Sequence, residues 1–232
     1  RRTSRLPADL PLRPPILALF GYYLADGNGQ RGYILISNRD KEIRAQIERG
    51  LEAVGVPFGV RNNTDYQVSS SALASLMTSL CGRVARQKRL PSFWPRLSNQ
   101  SLGTLLRAYF DGDGTVGANG EVIATTASRQ LASDLAYALK RFGIHARLRK
   151  NWKRATNSSH AGDYYYAVAI SGRADVQRYA EFIGFHHRDK LSRLTTTLER
   201  QPDTNVDVVP IEARALTELR GSGRLSMKHL GR

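Results

Sequence analysis

Cysteine is almost absent from this chain of 232 residues, which contains only Cys81. A single cysteine excludes an internal disulfide framework and a zinc site built from several cysteines. Long hydrophobic runs are missing too, and residues 1–15 are basic and proline-rich, without the apolar segment of a signal peptide. These features predict an intracellular protein, cytoplasmic or organellar, that does not contact a membrane.

Acidic residues are also scarce. The chain has 20 Asp and Glu against 35 Lys and Arg, so its formal net charge is +15 at pH 7. The basic residues are spread along the whole chain instead of being gathered in one tail. This distribution favours a polyanion-binding surface on a folded body, and nucleic acid is the first candidate partner.

Two apolar runs, at 19–27 and 106–114, each predict a helix that ends in an Asp-Gly pair. The carboxylates of Asp26 and Asp113 would then lie in the last helical turn. The negative end of the helix dipole disfavours a carboxylate there by about 0.3–1 kcal/mol. A bound cation is the simplest group that would favour both residues.

Small residues recur four positions apart in both helices, Gly21 and Ala25 in the first and Ala108 and Gly112 in the second. Glycine inside a helix weakens it by up to about 1 kcal/mol, so its placement indicates that another backbone approaches this face. If the helices pack along these faces, their two terminal carboxylates meet. Such a pair raises one pKa unless a metal neutralises it.

The two helices open two similar halves. After each Asp-Gly pair the sequence predicts a hairpin, a helix, a second hairpin and a final helix. This order predicts an α+β fold of two pseudo-twofold-related αββαββα halves, with antiparallel saddle-like sheets and helix packing at the central interface. We predict halves at 15–96 and 97–196, a basic N-terminal segment at 1–14 and a C-terminal tail with a short helix at 197–232.

The paired runs resemble the LAGLIDADG, or dodecapeptide, family of homing endonucleases, in its single-chain form with two motifs. Lys-Arg-Leu-Pro at 88–91 and the segment 183–190 are similar to the lysine blocks of intein-type members. Residues 204–210 are similar to a segment that follows the nuclease region of inteins. No splicing block is recognised at either end, so we expect a nuclease domain of intein type that does not splice.

The resemblance assigns roles to four residues. It implies that Asp26 and Asp113 are catalytic and hold a divalent metal, Mg²⁺, and that Lys88 and Lys190 are active-site lysines that stabilise charge or position water. Leu24 replaces the earlier aspartate of the first motif, which Asp111 keeps in the second.

The resemblance also implies an activity. It is metal-dependent hydrolysis of double-stranded DNA at a long, asymmetric target site, by a monomer that leaves 3′ overhangs. An alternative from another class stays open, a catalytically silent nucleic-acid-binding module of the same fold, such as an RNA maturase or a DNA-binding regulator.

Polar residues on the predicted strands are the candidate DNA contacts. In 145–149 they alternate with Ala146 and Leu148, so donors would occupy one strand face while the other face is buried. Such a strand fits the major groove, where Arg reads guanine and Gln reads adenine. The candidates are Gln30, Arg31, Arg61, Gln67, His145, Arg147 and Arg149 for bases, with Lys153 and Arg154 for phosphates.

Overall fold

The computed structural model of the protein describes residues 6–153 and 162–200. Two halves follow one another with the same order of elements. The first contains α1 (Pro14–Asp26), β1 (Gly27–Gln30), β2 (Tyr33–Ser37), α2 (Lys41–Val54), β3 (Gly59–Arg61), β4 (Asp65–Val68) and α3 (Ser71–Cys81). The second contains α4 (Asn99–Asp113), β5 (Gly114–Val116), β6 (Val122–Thr126), α5 (Arg129–Lys140), β7 (Ala146–Lys153), β8 (Asp163–Ile170) and α6 (Arg173–Phe182), and α7 (Arg188–Glu199) follows it. The predicted α+β fold of two αββαββα halves is confirmed.

Each half forms one antiparallel sheet, with strand order β1-β2-β4-β3 in the first and β5-β6-β8-β7 in the second. Alternating residues of each sheet, such as Ile34 and Ile36 of β2, are buried against the helices. We call the opposite side of each sheet its outer face. By strand register the outer faces carry Gln30, Leu35, Arg61 and Gln67 in the first sheet and Ile123, Thr125, Arg147 and Arg149 in the second.

Local side-chain signals set where the helices begin. Pro14 opens α1, where the missing N–H of proline would have had no helical partner. Asp40 caps α2, because its carboxylate accepts hydrogen bonds of 2.9 Å from the backbone N–H groups of Glu42 and Ile43. Ser128 caps α5 at the equivalent place in the second half, accepting from the N–H of Leu131 at 3.1 Å.

Helices α1 and α4 pack directly against each other, and glycine makes this approach possible. A Cβ atom at Gly21 would lie 2.4 Å from the carbonyl oxygen of Leu105 and 2.6 Å from the Cβ of Ala108. At Gly112 a Cβ atom would lie 2.5 Å from the Cβ of Ala25. Residues later in α1 therefore contact residues later in α4, so the helices run in the same direction and end side by side.

The second hairpins of the two halves differ in length. In the first half, β3 contains only Gly59–Arg61, and Val56 before it is buried in the core. In the second half, β7 extends over Ala146–Lys153. The hairpin of β7 and β8 is therefore longer than its counterpart.

The predicted helix within the tail, and residues 201–232 as a whole, lie outside the described residues. None of the helices in 6–153 and 162–200 is long and apolar enough to cross a membrane.

The close contact of α1 with α4 predicts the effect of one added methyl group. We expect Gly21→Ala to lower the free energy of unfolding by about 1–3 kcal/mol, because the new Cβ overlaps backbone atoms that cannot move aside. This loss would outweigh the gain of up to about 1 kcal/mol in helix propensity. Urea denaturation measures it. Glu52→Ala on the exposed side of α2 is the control, with a change within about 0.5 kcal/mol. Unchanged or higher stability of Gly21→Ala would contradict the packing.

Candidate active site

The adjoining ends of α1 and α4 carry two carboxylates. Asp26 and Asp113 are the last residues of their helices, and both are half-buried. Oδ2 of Asp26 lies 3.0 Å from the position that a Cβ atom of residue 112 would occupy, so this carboxylate reaches the end of the other helix. The small residues that let the helices approach thus also bring the carboxylates together.

Burial raises the pKa of both carboxyl groups. For Asp113 burial has the largest effect, the negative charge of Asp26 adds to it, and the pKa reaches about 7. Burial also raises the pKa of Asp26, against the effect of the Asn38 side-chain amide, which donates a hydrogen bond of 3.0 Å to Oδ2. The protein alone therefore does not neutralise this pair of carboxylates.

A lysine approaches the C-terminal end of each of these helices. Nζ of Lys88 donates a 2.7 Å hydrogen bond to the carbonyl oxygen of Tyr23 in α1. Nζ of Lys190 donates to the carbonyl oxygens of Phe110, Asp111 and Gly112 in α4. A cation at this end is favoured by the helix dipole. The two ammonium groups therefore offset part of the negative charge at the helix ends. From the sequence alone, we expected a bound cation to offset all of it.

The two lysines differ in their surroundings. Lys88 is only 2% exposed and lies after a 3₁₀ turn, and its Nζ is also 3.5 Å from the centre of the Tyr23 ring. Burial lowers the pKa of Lys88 to about 7. Lys190 is half-buried in the first turn of α7, and burial lowers its pKa as well. The sequence placed both lysines six residues after a glycine, but only the second of them belongs to a helix.

Both lysines act on both aspartates. The charges of Asp26 and Asp113 raise the pKa of Lys88 and of Lys190, against the larger effect of burial. The hydrogen bonds hold Lys88 at α1, which ends in Asp26, and Lys190 at α4, which ends in Asp113. Each lysine therefore lies at the end of the helix that carries the aspartate of its own half.

Asp111, which keeps the earlier aspartate of the motif, holds the approach to α7. It is buried, and its Oδ1 accepts hydrogen bonds from the backbone N–H groups of His186 at 2.8 Å and His187 at 3.1 Å. Leu24 at the corresponding position of the first half is buried in the core. Asp111 therefore fixes the segment that leads to Lys190 and does not face the pair of terminal carboxylates.

The donor set at the helix ends fits a hard divalent cation. Carboxylate oxygens are the ligands that Mg²⁺ prefers, and Mg²⁺ usually keeps several waters and takes one or two protein carboxylates. Burial raises the pKa of both carboxyl groups, and a cation between them would favour their ionised form. Within residues 6–153 and 162–200, no group of three or more His, Cys, Asp or Glu side chains is placed to hold a metal ion, so the candidate protein ligands are these two carboxylates alone.

Five of the predicted DNA contacts lie on the outer faces. Gln30, Arg61 and Gln67 share the outer face of the first sheet, and Arg147 and Arg149 share that of the second. Gln67 donates to Ser69 at 3.3 Å, while its Oε1 is buried without a hydrogen-bond partner in the described structure. Arg31 lies in the turn between β1 and β2 and is exposed.

Two expectations for the segment 145–149 are wrong. His145 precedes β7, and its Nδ1 lies 3.7 Å from a carboxylate oxygen of Asp175 in α6, so it does not share the outer face. Leu148 is 53% exposed instead of buried, because β7 is an edge strand that extends past the helices. Arg149 is already paired, through two hydrogen bonds to Glu121 of 2.7 and 3.3 Å.

The side chain of Lys153 and the whole of Arg154 lie outside the described part of the structure. Sequence reasoning missed Asn38, the partner of Asp26, and the contact of Ser128 with the backbone of Lys88. The sequence could have identified Asn38, because it is a polar residue that directly follows the second strand after the first Asp-Gly pair. No local signal marks Ser128 beyond its role as a helix cap.

The raised pKa of Asp113 predicts a pH-dependent stability in the absence of metal. A carboxyl whose folded pKa is raised from about 3.8 to about 7 stabilises the fold fully below pH 4, and this stabilisation is lost as the pH rises through 7. Asp113→Asn remains neutral. Its stability relative to the parent protein should therefore improve by on the order of 2 kcal/mol between pH 5 and pH 7.

Urea unfolding in EDTA at both pH values measures this difference. Lys88 stays protonated over most of this interval, since the pKa that burial lowers is still about 7, so it adds little to the change. Asp189→Asn, at an exposed carboxylate in the first turn of α7, is the matched control and should show no such dependence. An equal stability difference at the two pH values would contradict the raised pKa.

This chain is similar to a known protein family and to solved structures. The family described as LAGLIDADG-like domain matches residues 102–184. Full-length WhiA from Thermatoga maritima superposes with a TM-score of 0.54 and 14% identity over 90% of this chain and 66% of its own. I-DmoI in complex with DNA and Ca superposes with a TM-score of 0.51 and 12% identity over 76% of this chain and 92% of its own.

Curated relatives are longer proteins. Replication factor C small subunit from Thermococcus kodakarensis is 30% identical over 220 residues, which are 91% of this chain and 24% of the relative. DNA-directed RNA polymerase subunit Rpo1C from Methanocaldococcus jannaschii is 27% identical over 226 residues, 92% of this chain and 25% of the relative. The chain thus spans about a quarter of the length of these two proteins. With its two four-stranded antiparallel sheets, the described chain has the fold of these LAGLIDADG structures, and residues 102–184 match the model of the LAGLIDADG-like domain.

Proposed function

We propose that this chain is a site-specific endonuclease that cuts both strands of a DNA duplex. The observation that carries the proposal is the pair of half-buried carboxylates at the adjoining ends of α1 and α4, with the pKa of Asp113 raised to about 7 by burial and by Asp26. A module that only binds nucleic acid gains nothing from two such carboxylates. The matched structure of I-DmoI holds DNA and a divalent metal, which supports the same use of the fold here.

In this proposal Asp26 and Asp113 hold Mg²⁺ at the two scissile phosphates. Bound there, the metal would supply Lewis acidity and lower the pKa of a coordinated water. Asn38 orients the carboxylate of Asp26 through its hydrogen bond to Oδ2. Lys190, a cation fixed by the carbonyl oxygens at the end of α4, offsets negative charge that develops on the phosphate.

Lys88 has a further capacity. Because burial lowers its pKa to about 7, its Nζ can hold or release a proton near neutral pH. Its side chain is nevertheless held in one place by the hydrogen bond to Tyr23. It can therefore act on a water or an oxygen beside the paired carboxylates without a large movement.

The outer faces of the two sheets would lie in the major groove. A net charge of +15 supplies the attraction to the phosphates, and the outer-face Gln and Arg side chains supply donors for base edges. Two halves with different outer faces suit a long asymmetric target and a monomer with the two-motif arrangement. Hydrolysis at the paired centres would leave 3′ overhangs.

The relatives indicate the kind of protein in which such a chain occurs. Replication factor C, an RNA polymerase subunit and elongation factor 2 have unrelated names, yet each matches more than 90% of this chain over 25% or less of its own length. A segment shared by otherwise unrelated proteins is typical of a mobile insertion. We therefore propose that the chain is the endonuclease part of an intein-type element inside a host protein.

Substitution of the two aspartates tests the activity. Asp26→Asn and Asp113→Asn should each leave DNA binding nearly intact and reduce cleavage by at least about 100-fold, because each removes a metal ligand. Targets are selected from a randomised duplex library in Mg²⁺, and binding is measured in Ca²⁺. Asp189→Asn is the matched control and should still cut. Binding without cleavage by the parent protein would favour the silent nucleic-acid-binding module, and cleavage by both variants would contradict the site.

Arg147 and Arg149 provide a test of the DNA surface. The side chain of Arg147 has no hydrogen bond or ion pair to another described residue, whereas Glu121 holds Arg149 in a bidentate pair. Arg147→Ala should weaken specific DNA binding by about tenfold, and Arg149→Ala by less, because Arg149 must first leave Glu121. Fluorescence titration at two salt concentrations measures both. Arg96→Ala, at the exposed turn before α4, is the control, and equal losses for all three variants would refute the assignment.

A further inference from the structure

The segment that bears Lys88 is held by the second half of the protein. The hydroxyl of Ser128 donates a 2.6 Å hydrogen bond to the carbonyl oxygen of Lys88. The backbone N–H of Leu90 donates to Oδ2 of Asp134 at 3.0 Å. Ser128 is the N-cap of α5, and Asp134 lies within the same helix. The start of α5 therefore fixes the main chain on both sides of Arg89.

The segment that bears Lys190 is held by the first half through side-chain contacts. Nε2 of His187 lies 3.7 Å from Oδ2 of Asp40, and Arg188 forms an ion pair with Glu42. Asp40 is the N-cap of α2 and thus the counterpart of Ser128. Each half therefore presents the capped end of its middle helix to the lysine segment of the other half.

Ser128 uses both hydrogen-bonding capacities of its hydroxyl group. Its oxygen accepts from the N–H of Leu131, and its proton is donated to the carbonyl of Lys88. The side chain is 1% exposed, so water cannot replace either partner. Nζ of Lys88 is bound at the same time to α1 of the first half. The main chain of Lys88 is thus anchored to one half and its ammonium group to the other.

We propose that Ser128 is a positioning residue that places Lys88 at the adjoining ends of α1 and α4 and thereby governs one of the two strand cuts. This inference rests on the proposed endonuclease activity. Loss of the hydroxyl frees the main chain of Lys88 while leaving Lys190 in place, because Lys190 depends on Asp111 and on the α2 cap instead. The two strands are then no longer cut at matched rates, and a nicked duplex accumulates.

Ser128→Ala tests this positioning role, with Ser70→Ala as the matched control. Ser70 is also a buried N-cap serine, of α3, which accepts from the N–H of Leu73 at 3.3 Å, and its side chain is hydrogen-bonded to neither lysine segment. Both variants should lose thermal stability because each loses one cap, and Ser128→Ala should lose more because the buried carbonyl of Lys88 also loses its donor. Only Ser128→Ala should change the ratio of the two strand-cutting rates, by about fivefold, as expected for one ordinary hydrogen bond. Ser128→Thr, which keeps the hydroxyl, should restore the ratio.

A second readout does not depend on cleavage. Acetylation of lysines by acetic anhydride, followed by mass spectrometry, should show Lys88 labelled about fivefold faster in Ser128→Ala than in the parent protein. Lys190 in the same sample should be unchanged.

The two readouts separate the two ideas. If the parent protein fails to cut DNA but the labelling of Lys88 changes as expected, the proposed activity is wrong and the positioning contact stands. If Ser128→Ala loses stability like Ser70→Ala while its strand ratio and its Lys88 labelling both match the parent protein, Ser128 is only a helix cap and the inference is overturned. An equal slowing of both strands in Ser128→Ala would overturn it as well.

Discussion

The contact between α1 and α4 is the constraint on which the rest of the structure depends. Gly21 and Gly112 let the two backbones approach at distances that no side chain would allow, since an added Cβ would lie within 2.4–2.6 Å of the other helix. Parallel helices in such contact must end together. Their last residues, Asp26 and Asp113, therefore share one environment, and the two sheets that begin directly after them extend from a common centre.

That shared environment is electrostatically unfavourable without nearby positive charge. Two helix C-termini and two carboxylates bring negative charge together in a half-buried place, and the pKa of Asp113 rises to about 7 as a result. Lys88 and Lys190 supply positive charge, but both bind carbonyl oxygens at the helix ends and not the carboxylates. The lysines thus satisfy the helices, while the carboxylates keep their capacity for a further cation. This division of roles is what a metal-dependent centre requires.

The pseudo-twofold symmetry holds for the order of the elements and is broken in strand length and in the side chains. The amide of Asn38 donates to Asp26, whereas the side chain that acts on Asp113 through a hydrogen bond is the phenol of Tyr109, from within α4. Asp111 holds the approach to Lys190, whereas Leu24 is a core residue. Ser128 and Asp40 cap equivalent helices, but Ser128 contacts the main chain of Lys88 through a hydrogen bond and Asp40 contacts the side chain of His187. Two centres with the same order of elements but different surrounding side chains suit a single chain that acts on two strands of different sequence.

The sequence by itself determined the fold class, the repeat and the two helix ends, because these follow from local signals: apolar periodicity, caps, turn residues and small residues four apart. It also identified both aspartates and both lysines as candidates through their resemblance to a known family. Only the tertiary structure decided what holds each lysine, since the contacts of Lys88 with Tyr23 and Ser128, and of Lys190 with the end of α4, join residues far apart in the chain. The same holds for Leu148, Arg149 and His145, whose neighbours come from an edge strand, a distant turn and α6. Local sequence patterns determine which secondary structure each segment forms. Packing between segments determines which residues each side chain contacts.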